Sequence, residues 1–139
     1  MTKCTLILTA LAALTFPATA TAADTSHQFE GRGECKKVDT RGCTANQFPV
    51  FSAPEGKFID PSSIAEGEVT NSLGIHPRCS KPDIVAHTNV NAPELGTVVP
   101  LPVSIRAHVQ VQSGSGPMGI GQTYFVNCRY DVILRDIPG

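Results

Sequence analysis

Tryptophan is absent from the 139 residues, and only two tyrosines occur. A sugar-stacking platform therefore has few residues to be built from, which argues against lectin and glycosidase chemistry. There is no basic excess. Eleven Lys and Arg face twelve Asp and Glu, for a formal net charge of −1. A general nucleic-acid binder would carry the opposite balance. No Asn-X-Ser/Thr acceptor occurs, since Asn71-Ser72-Leu73 misses the pattern. Beyond the first 22 residues no apolar run approaches the 18 or so residues needed to cross a bilayer as a helix.

Catalytic and metal signatures are missing too. The sequence contains no HExxH, no HxH, no CxxC and no GxSxG nucleophile elbow. Ser115 lies in Gly114-Ser115-Gly116, without the elbow spacing. Three histidines, His76, His87 and His108, would make a zinc or copper site only if the fold brought them together. Glu66 and Glu68 are the nearest carboxylate pair, and on a strand they share one face. Asp131 beside Arg129 reads as a cross-strand ion pair. The expectation is a protein that is not an enzyme, with no metal and no cofactor.

The start of the chain reads as a secretory signal peptide. Met1-Thr2-Lys3 is short and positive, Cys4 to Phe16 is apolar, Pro17 breaks the run, and Ala18 to Ala22 offers small residues at the cleavage site. Cleavage after Ala22 leaves 117 residues, enough for one domain over 23–139. With Lys3 gone, ten basic side chains stand against twelve acidic ones, and the charge becomes −2. Such a leader suits export from a bacterium to the periplasm, cell surface or medium.

Of five cysteines, Cys4 leaves with the leader, and Cys35, Cys43, Cys79 and Cys128 remain. An even number in an exported chain predicts two disulfides. Cys35–Cys43 would close a short polar loop, and Cys79–Cys128 would tie the middle of the chain to its end. Spacings of 8, 36 and 49 do not suit a structural zinc site, whose ligands come in close pairs.

Twelve glycines and eleven prolines leave little room for helix. From Val103 to Gln112 every odd residue is apolar and every even one polar, the period of a half-buried strand. Tyr124 to Leu134 alternates likewise, with Tyr124, Val126, Cys128, Tyr130, Val132 and Leu134 on one face. Between them, Ser113 to Gly121 holds four glycines and a proline, so the two runs read as an antiparallel hairpin with a flexible tip. Weaker strands are expected over His27–Val38 with a bulge at Gly31 and Gly33, over Gln47–Ala53 as an edge, over Glu68–Ile75, and over Ile84–Val90 closed by Pro93. Asp60-Pro61 should cap a single helical turn. The fold class is all-β, an antiparallel β-sandwich or small barrel of six to eight strands, disulfide-stapled, with little helix.

No chemistry-bearing constellation stands out, so the expected role is a non-catalytic binding or structural module of the bacterial envelope or medium, such as an adhesin-like, pilus-associated or assembly component. Its partner would be a protein or cell-surface ligand. The first alternative is an inhibitor of a hydrolase, acting through the Cys35–Cys43 loop with Lys36, Lys37 and Arg41. Behind it stands a small hydrolase or metal enzyme, which would need His76, His87 and His108, or a carboxylate pair, to converge. The expected contact residues are Arg106, His108, Arg129 and Asp131 on the polar face of the final hairpin, with Pro117 and Met118 at its tip.

Overall fold

The computed structural model describes residues 24–92 and 96–138. The leader expectation and the closure at Pro93 lie outside these residues. The described residues form ten strands: β1 (Thr25–Lys36), β2 (Thr44–Gln47), β3 (Val50–Ser52), β4 (Lys57–Ile59), β5 (Glu68–Leu73), β6 (Ile75–Cys79), β7 (Asp83–Ala92), β8 (Thr97–Arg106), β9 (Val109–Gln112) and β10 (Thr123–Asp136). A single 3₁₀ turn, Pro61–Ser63, is the only helical element among the described residues. Asp60 caps it by accepting from the Ser62 amide at 3.0 Å, with Pro61 in the first turn as the sequence predicts.

All strand pairs are antiparallel, and the strands form two packed layers rather than a closed barrel. In the first layer β10 pairs with β1 along one edge, and with β5 and then β4 along the other. The second layer has two parts, β2-β9-β6 and β3-β8-β7. Its division falls where Phe48-Pro49 lies opposite Ala107-His108. There the Ala107 amide donates to the Pro49 carbonyl at 2.9 Å, and the Ser80 amide to the His108 carbonyl at 3.0 Å. The run from Val103 to Gln112 is therefore two strands, although its alternation continues across the break. Ten strands exceed the expected six to eight because several are only three or four residues long.

The expected final hairpin does not form. β9 bonds to β2 and β6, and β10 bonds to β1, β4 and β5, so the two runs face each other across the core. Alternation marks a buried face without naming the ladder partner. A nine-residue loop easily spans the roughly 10 Å between packed sheets. The apolar faces meet as alternation requires. Val109, Val111, Val126, Cys128 and Tyr130 share one core cluster, while Ile105, Val132 and Leu134 join Ile59 and Ile64 in a second. Phe29 packs against both, and Val103 is only half-buried. Truncating fully buried Val109 to Ala should cost about 2 kcal/mol, measured by urea unfolding, whereas replacing outward-facing Gln110 should move stability by less than about 0.5 kcal/mol.

β1 carries no bulge. Its register against β10 is unbroken from Thr25 to Lys36. Gly31 and Gly33 both face inward, and at Gly31 the second layer presses close: a Cβ there would lie 2.8 Å from Pro49 Cγ. One on Gly33 would meet Val109 Cγ1 at 3.4 Å, an ordinary packing distance. Cys35 is bonded to Cys43 and Cys79 to Cys128, with Cα separations of 6.0 and 5.7 Å. The second bond joins β6 of one layer to β10 of the other. β7 and β8 form a long ribbon in which Val85 and Val98 are exposed.

Candidate functional site

The expected contact residues do not form one surface, because the hairpin that would unite them does not exist. Arg129 and Asp131 point outward from the first layer and are engaged there. Arg129 Nη2 lies 2.6 Å from Glu68 Oε2 across the ladder, and Asp131 accepts from Gln28 Nε2 at 3.3 Å. Next to them Arg32 donates to Asn127 and lies over the Phe125 ring at 4.5 Å. This face is a solvated sheet laced by exposed pairs, each contributing little. Arg106 and His108 lie on the second layer, near Phe48.

Pro117 and Met118 belong to a different assembly. The loop 113–121 is strapped onto the loop closed by Cys35–Cys43. The Cys43 amide donates to Ser113 Oγ at 2.8 Å, and the Ser113 amide to the Cys43 carbonyl at 2.9 Å. Gly116 donates to Thr40, Gly121 to Lys37, and Lys37 to Gln122, at 2.7–3.0 Å. The glycines are needed for this path, since 114, 116, 119 and 121 all have φ between +77° and +105°. The expected flexible tip is thus one half of a fastened two-loop lobe.

Lys37 holds the lobe from inside. It is 1% exposed, and its ammonium donates to the Met118 carbonyl at 2.7 Å. The sequence offers no sign of this, because Lys36 and Lys37 look equivalent until the disulfide fixes which of them points inward. Lys37→Ala should cost about 2 kcal/mol through the lost hydrogen bond and the void left by its stem. Urea unfolding reads the stability, and amide relaxation over 113–121 should show the loop loosened.

Outside, the lobe presents side chains that nothing among the described residues covers. Val38 is 71% exposed and Met118 84%, with Ile120 also exposed. The Arg41 side chain is 88% exposed and is held by Asp39 at 2.8 Å. That contact, together with the Arg41 amide, lowers the Asp39 carboxyl below its ordinary value. An open groove of about 400 Å³ flanks the lobe, lined by Arg41, Thr44, Ile75, Gln112, Gly114 and Ser115 among others.

The remaining candidates for chemistry stay apart. Glu68 pairs with Arg129 and not with Glu66. His27 stacks on Phe51. Among the described residues no three of His, Cys, Asp and Glu are grouped so as to hold a metal ion, and no helix is long and apolar enough to cross a membrane. Compared with protein-family models, curated proteins and solved structures, the chain matches none.

Proposed function

We propose that the chain is an exported, non-catalytic module that binds a partner protein through the two-loop lobe. The observation that carries this reading is the exposure of Val38, Met118 and Ile120 on loops that a disulfide, a buried lysine and five further hydrogen bonds involving the backbone hold in place. Exposed apolar side chains gathered on one part of a surface favour protein contact. A loop fixed before binding loses little conformational entropy on docking. The leader-like first 22 residues and the two disulfides fit work outside the cytoplasm, in the periplasm, at the surface or in the medium of a bacterium.

A photo-crosslinking amino acid at Met118 or Val38 tests the reading in envelope extracts. One defined adduct should form from both positions and not from Gln28 on the outer face of the first layer. Equal labelling from Gln28 would remove the lobe from consideration. Replacing Val38, Met118 and Ile120 together by Asp should abolish the adduct formed by a probe at Arg41.

A second reading, inhibition of a hydrolase, has one observation in its favour: Arg41 projects from a loop pinned at both ends by a disulfide. Lys37 is buried and takes no part in such a contact. Inhibition of a trypsin-like enzyme that Arg41→Ala removes would select this reading over a purely structural contact.

A further inference from the structure

We propose that Lys81, Arg106, His108 and Phe48 form a second site, which binds the anionic group of a small ligand, a carboxylate or a phosphate. The site is made where the second layer divides. β8 ends at Arg106, the chain leaves the ladder at Ala107 and His108, and Phe48-Pro49 makes the opposing break between β2 and β3. The segment after β6 closes the third side, anchored by the Ser80 amide on the His108 carbonyl. These three segments surround about 290 Å³ of open space.

The lining has the composition of an anion site. Lys81 and Arg106 both border the space, and both are exposed. Neither has an ion pair among the described residues. The single carboxylate present, Asp83, sits opposite Arg106 in the ladder yet makes no ion pair with it. Two cations against one carboxylate leave the concavity positive, and a guanidinium and an ammonium without counter-charges favour an incoming anion.

The other walls are prepared as well. The His108 ring is fixed by Asn46, 2.8 Å from its Nε2, and stacks on Phe48 at 4.7 Å between centroids. Phe48 is nevertheless 56% exposed, with the Arg106 guanidinium 6.0 Å from its centroid. It offers an apolar face to the body of a ligand whose charge the cations hold. The Ser80 hydroxyl, in the same lining, is buried with no hydrogen-bond partner among the described residues. The site is separate from the two-loop lobe. The four residues of β9 lie between them, about 13 Å of strand.

Titration of the ¹⁵N-labelled protein with inorganic phosphate, and separately with acetate, at ionic strength held constant with chloride, tests this directly. At least one anion should give saturable shifts, largest at Lys81, Ala107 and His108. Saturation by phosphate alone assigns the site to a phosphate group, and saturation by acetate assigns it to a carboxylate. Arg106→Gln should weaken binding about tenfold, as expected for one lost charge-assisted contact. Asp83→Asn should tighten it. Lys81→Gln, in an exposed segment, serves the same purpose if Arg106→Gln perturbs the fold. The proposal is overturned if neither anion saturates, if the shifts spread equally to Arg32 and Arg41, or if the variants bind as the parent does.

Discussion

Replacing Cys79 and Cys128 together by alanine should lower stability by about 4 kcal/mol, a large part of what a domain of this size possesses. The bond closes a chain separation of 49 residues. In the chain-entropy description, a long closed loop restricts the unfolded ensemble most. Both cysteines are buried, and both belong to the core cluster that joins the layers. Loss of the sulfurs also leaves that cluster underfilled. The Cys35–Cys43 bond closes a separation of only 8, so its removal should cost less, about 2.5 kcal/mol. Its consequences should differ in kind. The two-loop lobe would lose one of its fastenings, and with it the partner contact proposed for it, while the sandwich stays folded. Urea unfolding of the two double variants, beside crosslinking from Met118, separates these effects. A larger loss from the short-loop variant would contradict the assignment.

How much of this was legible in the sequence follows from what alternation measures. In β9 and β10 the period of two identifies the buried side chains directly, because one-sided burial imposes it. It cannot tell a neighbour in the ladder from a neighbour across the core. Val109 and Val126 look like hairpin partners in sequence and are in fact stacked from opposite layers. Short strands such as Val50–Ser52 and Lys57–Ile59 are set by their partners and are too brief to carry a period. Gly31 of β1 departs from the bulge expectation for a related reason. A strand glycine signals either a bulge or a close approach, and only the position of Pro49 decides between them. The residues expected on one surface are divided by the fold. Arg106 with His108, and Pro117 with Met118, are each placed together, but the two pairs serve different surfaces. Of the residues that organise those surfaces, Lys37 reads in sequence as an exposed contact of the Cys35–Cys43 loop and is instead buried, and Phe48 gives no signal. A buried lysine and an aromatic ring beside a proline acquire meaning only when loops distant in the chain close on them.

Tyr130 makes the sharpest case for what burial does to a single group. It is 2% exposed, its ring stacks on Phe29 at 4.9 Å, and its hydroxyl is buried without a hydrogen-bond partner among the described residues. Tyr130→Ala should therefore cost about 4 kcal/mol, since it empties an aromatic position in the core. Tyr130→Phe keeps the ring and removes the unpaired hydroxyl, so it should raise stability by about 1 kcal/mol. The same burial pushes the phenol up to about 12, because tyrosinate is poorly solvated there. An unfolded tyrosine ionises near 10. The unfolded state thus releases its proton first as pH rises. The stability linked to this group is fully present below about pH 10 and falls as pH climbs through about 12, by about 3 kcal/mol over that window. In Tyr130→Phe this contribution is absent. Urea midpoints for both proteins at pH 9, 10 and 11 should start with the variant slightly ahead and diverge in its favour. Parallel curves would mean that the hydroxyl is not isolated from water, and that the layers at Tyr130 pack less tightly than its burial indicates.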